Sequence, residues 1–118
     1  MALLNQVHLV GRAGRDPEVR YFESGNVLCT VTLAVNRIRR KGEQEDQPDW
    51  FDLEIWGKTA EIAGEYVRKG SLIGISGALA FNRWSDRTTQ QARERPVIKV
   101  DQLELLGRAA RPDEPESF

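Results

Sequence analysis

From Val27 to Val35 (VLCTVTLAV), Val27, Cys29, Val31, Leu33 and Val35 alternate without a break with Leu28, Thr30, Thr32 and Ala34. A period of two sends successive side chains to opposite faces and cannot lay an apolar stripe along a helix, so this segment must be a β-strand with one buried face. Leu72 to Arg83 alternates likewise, which predicts Ile73, Ile75, Leu79 and Phe81 on the core side and Gly74, Ser76, Ala78, Ala80 and Asn82 on the other. Pro48 to Gly57, Leu3 to Val10 and Val97 to Leu106 supply three further strand-like runs. Polar, turn-rich segments separate them: Gly11 to Pro17, Glu23 to Asn26, Arg39 to Pro48 and Ser85 to Glu94 read as loops.

Only Lys58 to Lys69 reads as a helix, with Ile62, Ala63, Tyr66 and Val67 at helical spacing, Glu65 and Lys69 four apart, and Gly70 placed to end it. The order strand, strand, strand, helix, strand, strand predicts an all-β OB-fold: a five-stranded Greek-key barrel with one helix between strands 3 and 4. With 118 residues there is room for one such domain, expected over residues 1–107, and a short disordered acidic tail over 108–118. No apolar run approaches the roughly 18 residues of a membrane span and no signal peptide is apparent, so a cytoplasmic protein is expected.

The chemistry-bearing residues point away from catalysis. Cys29 and His8 are the only cysteine and histidine, which excludes an intrachain disulfide or a Cys/His metal cage. Cys29 lies on the apolar face of its strand, as an inert thiol would. Asp52 and Glu54 lack the further oxygen ligands of a hard-cation site, and Gly11 to Gly14 lacks the spacing of a phosphate cradle. No enzyme activity, cofactor or metal is expected.

In PDWFDLEIWG (Pro48 to Gly57), Phe51, Leu53 and Ile55 form the natural core face, leaving Trp50 and Trp56 with Asp52 and Glu54 on the other. Burying those indoles would bury both carboxylates, at several kcal/mol each if unpaired. Trp84 falls on the polar side of its strand by the same count. Accessible indoles serve either a protein interface or a platform for planar ligands. Charge helps to choose. The net charge of -1 conceals two basic stretches: Arg37, Arg39, Arg40 and Lys41 with no acid among them, and Arg83 to Lys99 with five cations against Asp86 and Glu94. Lys58 follows Trp56. Cations beside exposed rings suit single-stranded nucleic acid, whose unstacked bases present faces and whose backbone needs positive charge.

VHLVGRAGRDPEVRYFESG (Val7 to Gly25), EYVRKGSLIGISGAL (Glu65 to Leu79), Trp50-Phe51, Trp56-Gly57-Lys58 and Arg83-Trp84 together resemble bacterial single-stranded DNA-binding proteins of the replication and repair type, in a short cyanobacterial-like form. The resemblance runs over roughly residues 5 to 106. It implies an OB-fold protomer, usually a homotetramer, that coats single-stranded DNA in replication, recombination and repair without catalysis, in the cytoplasm and associated with the nucleoid. By the same resemblance Trp50, Trp56 and Trp84 match base-stacking positions, with Trp56 where many relatives have Phe, and Lys58, Lys69 and Arg83 match basic positions facing DNA. Arg37, Arg39 and Arg40 join them from the first basic stretch, Arg39 falling near a position that is often a stacking aromatic. The end of the chain is similar to a reduced version of the family's partner-recruiting acidic tip, in Asp113, Glu114, Pro115, Glu116 and Phe118. Two other readings stay open: an OB-fold protein-interaction module whose tryptophans fill a partner's pocket, and a relative that binds RNA.

Overall fold

The structure, a computed structural model, describes residues 4–36 and 47–108. Seven elements follow one another: β1 (Val7–Ala13), β2 (Glu18–Tyr21), β3 (Val27–Val35), β4 (Asp49–Trp56), α1 (Gly57–Tyr66), β5 (Leu72–Ser85) and β6 (Ala92–Gly107). The sheet runs β1-β5-β6-β4-β3 and closes on itself where Arg12 and Ala13 of β1 pair with Ala34 and Leu33 of β3. β2 pairs with the other half of that edge, Glu18 opposite Thr30 and Tyr21 opposite Val27. β1 and β2 thus share one edge of β3, interrupted at Gly14 to Pro17, and the ring has the five strands of the OB-fold. The pairing of β4 with β6 is parallel; the others are antiparallel.

Burial follows the alternation in the two strands that matter most for the site. In β3, Val27, Cys29, Val31 and Leu33 are buried, and in β4 Leu53 and Ile55 are buried with Phe51 packed against the core. Ile73, Ile75, Ile98, Ala13, Ala60, Ala63 and Val67 complete the interior. Each fully buried aliphatic side chain contributes about 1.5–3 kcal/mol relative to exposure. Slipping β4 by one residue would exchange Leu53 and Ile55 for Asp52 and Glu54 inside the barrel, so the core fixes the outward direction of Trp50 and Trp56.

Several element limits differ from the sequence expectations. β1 runs on through Gly11 to Ala13, because a Cβ at position 11 would lie 2.3 Å from the Ala34 carbonyl oxygen and glycine alone lets the two strands close the ring there. The helix stops at Tyr66 rather than Lys69. Beyond it, tertiary bonds replace helical ones: the Arg68 N–H donates to Ser71 Oγ (2.9 Å), the Lys69 N–H to Asp16 Oδ1 (2.8 Å) and the Gly70 N–H to the Ala13 carbonyl (2.7 Å). Leu79 and Phe81 are exposed, not core. In β6 Asp101 is passed over where Ser76 pairs with Gln102 and Gly77 with Val100, a bulge that bends the hairpin. Past it β5 and β6 pair through Ser85 and Ala92, reducing the expected loop to a turn in which Asp86 Oδ1 accepts the Thr88 N–H at 2.8 Å. This paired extension is a long arm. Among the described residues no helix is long and apolar enough to cross a membrane.

Candidate nucleic-acid interface

Directly paired residues of adjacent strands point to the same face, so the register assembles the site. On the outer face Trp50, Asp52, Glu54 and Trp56 of β4 lie opposite Ala34, Thr32, Thr30 and Leu28 of β3. Glu18 and Arg20 of β2 continue the rows of Thr30 and Leu28. On the other side Glu54 lies level with Lys99 of β6, and Lys99, Val97, Arg95 and Arg93 pair with Ala78, Ala80, Asn82 and Trp84 of β5. All three tryptophans therefore share one face, Trp50 at 61% exposure, Trp56 at 44% and Trp84 at 49%. Six residues of strand put about 20 Å between Trp50 and Trp56.

Each indole is supported differently. Trp50 lies on Gly14, where a Cβ would come within 2.4 Å of its ring and 2.6 Å of Thr32 Oγ1. Trp56 stacks on Phe22, with ring centroids 5.9 Å apart and planes inclined by 22°. Phe22 sits at the β2–β3 turn, closed by its N–H donating to the Asn26 carbonyl at 2.9 Å. Trp84 projects from the arm opposite Arg93.

The charges between the rings are largely satisfied within the protein. Arg95 Nε forms an ion pair with Asp52 Oδ2 at 3.0 Å and Asn82 Nδ2 donates to Glu54 Oε2 at 2.6 Å, which ties the arm to the β4 face. Arg83 pairs with Glu94 at 3.2 Å and Arg93 with Asp86 at 3.6 Å. Lys58 is exposed in the first turn of α1, where no acidic residue or side-chain cap answers the free N–H groups, so a positive end adjoins Trp56. Lys69 is held by Asp16 beside the β1–β2 break, two residues from the Gly14 on which Trp50 lies. Arg83 sits on the arm next to Trp84. Arg37, Arg39 and Arg40 lie outside the described residues, as do Asp113, Glu114, Pro115, Glu116 and Phe118.

Phe22 and Arg20 belong to this face without being singled out by the sequence, and Arg95 and Lys99, which the sequence marks only as part of the second basic stretch, belong to it too. Their strand parity is visible locally, but their neighbours come from strands far away in the chain. His8 hydrogen-bonds Ser76 (Nδ1 to Oγ, 2.9 Å) on the β1–β5 ladder. Cys29 is buried, and that burial pushes its thiol pKa up despite the opposing charge of Arg15, which suppresses the nucleophilic thiolate.

The Single-strand binding protein family pattern matches residues 4–106. "Single-stranded DNA-binding protein 1" of Synechocystis sp. is 66% identical over 104 residues, 88% of this chain and 84% of that protein. The "Single-stranded DNA-binding protein" of Thermosynechococcus vestitus is 61% identical over 103 residues, covering 87% and 82%. A solved structure titled "Plasmodium falciparum SSB complex with ssDNA" superposes with a TM-score of 0.78 at 24% identity, over 90% of this chain and 97% of that one, and shares the fold.

Proposed function

This chain belongs to the single-strand binding protein family, and from that premise we propose that it binds single-stranded DNA stoichiometrically and without catalysis. Bases stack on Trp50, Trp56 and Trp84, each contact worth about 1–3 kcal/mol and tolerant of sequence because every base has a π-face. Lys58, Lys69 and Arg83, with Arg37, Arg39 and Arg40 from outside the described residues, take the phosphates. The observation that carries this reading is the sharing of one face by three half-exposed indoles whose surroundings include Lys58, Arg95 and Lys99.

Coating of this kind keeps strands from refolding and reannealing during replication, recombination and repair, in the cytoplasm and at the nucleoid. Residues 1–107 form the binding domain; 108–118 serve as a tail whose Asp113, Glu114, Pro115, Glu116 and Phe118 recruit replication and repair proteins. A homotetramer multiplies modest site affinity by effective concentration, which suits a protomer of net charge -1. Val10, 54% exposed on β1, offers an apolar contact for such assembly.

Titration with oligo(dT) at low and high salt tests the binding, and light scattering with and without DNA tests the assembly. Tryptophan quenching with an affinity that falls as salt rises is expected. Absence of quenching rejects stacking, and a monomeric mass rejects the tetramer.

A further inference from the structure

We propose that Asp52 is an internal competitor of the DNA backbone for Arg95, so that a strand crossing the tryptophan face exchanges a carboxylate for a phosphate there; the inference rests on the single-stranded DNA reading above. Asp52 stands between Trp50 and Trp56 on β4, with its Oδ2 3.0 Å from Arg95 Nε. Arg95 in turn lies two residues along β6 from Arg93, the cross-strand partner of Trp84. A strand passing from the arm to the β4 tryptophans therefore meets this guanidinium on its way.

The pair is built for exchange. Its side chains are 35% (Asp52) and 58% (Arg95) exposed, so water and ions reach both, and an exposed pair of this kind is weak. The two non-bridging oxygens of a phosphodiester can accept from the planar guanidinium as the two carboxylate oxygens do. Glu54, the other outward acid of β4, has Asn82 as its partner at 2.6 Å and, among the described residues, no arginine at such a distance. Arg83 and Arg93 pair within the arm, leaving Arg95 as the arginine of the arm whose carboxylate comes from the barrel face.

Wild type, Asp52→Asn, Arg95→Gln and the double variant, each titrated with labelled oligo(dT) by anisotropy across a salt series, test this. Asp52→Asn is expected to bind about two- to fivefold tighter, the range an exposed pair commands. Its slope of log affinity against log salt steepens by at most about 0.7, one phosphate contact on a single strand. In the Arg95→Gln background the gain disappears. Equal tightening with and without Arg95 would mean that Asp52 simply repels DNA, and weaker binding by Asp52→Asn would mean that it only steadies the arm; either overturns the exchange while leaving DNA binding intact. Failure of wild type to bind oligo(dT) overturns both readings together.

Discussion

Replacing Trp84 and Trp56 with alanine, one at a time, separates the binding role of an indole from its structural role. Trp84 is half exposed, belongs to the arm and lies outside the core cluster, so its loss is expected to change stability by about 1 kcal/mol or less. Its stacking contact is worth about 1–3 kcal/mol, which predicts a loss of affinity of about 5- to 150-fold for Trp84→Ala. Trp56 differs because it leans on Phe22 at 5.9 Å, and an aromatic pair of this kind adds about 0.5–1.5 kcal/mol beyond its buried area. Trp56→Ala should therefore lose affinity and also about 1–2 kcal/mol of stability. Anisotropy of a labelled oligo(dT) reads binding without relying on the deleted fluorophore, and thermal melts read stability. Affinity of Trp84→Ala within twofold of wild type, or a stability loss from Trp84→Ala larger than that from Trp56→Ala, would refute the assignment.

Gly14→Ala should push the Trp50 ring off its seat, since the new Cβ would come within 2.4 Å of it, shifting the indole emission and weakening DNA binding; unchanged emission and affinity would show that the seat is not needed. Leu53→Ala, at a site 1% exposed in the core, should cost about 2–5 kcal/mol in urea unfolding, and a cost below about 1 kcal/mol would contradict the packing described. Cys29 should resist alkylation in the folded protein and react on unfolding; equal rates in the two states would rule out its burial. Because its folded pKa is raised, the unfolded thiol ionises first, so this group's stabilising contribution is present below the ordinary thiol range near 8.5 and is lost as pH rises through it toward the folded value.

The direction of the tryptophans was legible in a few residues. In DWFDLEIW the alternative register buries two acids, and the structure shows Leu53 and Ile55 inside with Trp50 and Trp56 outside. β3 was legible for the same reason, its valines and leucine falling on one face. Leu79 and Phe81 alternate as regularly as Ile73 and Ile75, yet the β1–β5 ladder ends at Gly77, before them, and they are exposed. The helix end was misplaced because Asp16, 53 positions away from Lys69, competes for that residue's N–H. In both places local periodicity was intact, and distant residues decided the outcome.

The amino-acid sequence by itself determined strand character and facing, since the side-chain direction of an extended chain depends on parity alone. It thereby set three indoles apart from the core. Only the tertiary structure decided that they share one face, that β1 and β2 divide one edge of β3, and that Asp52 and Glu54 meet Arg95 and Asn82 on the arm. Those pairings depend on the register between strands remote in the chain, and register is selected by the apolar surface the closed barrel buries as a whole, a quantity no single segment carries.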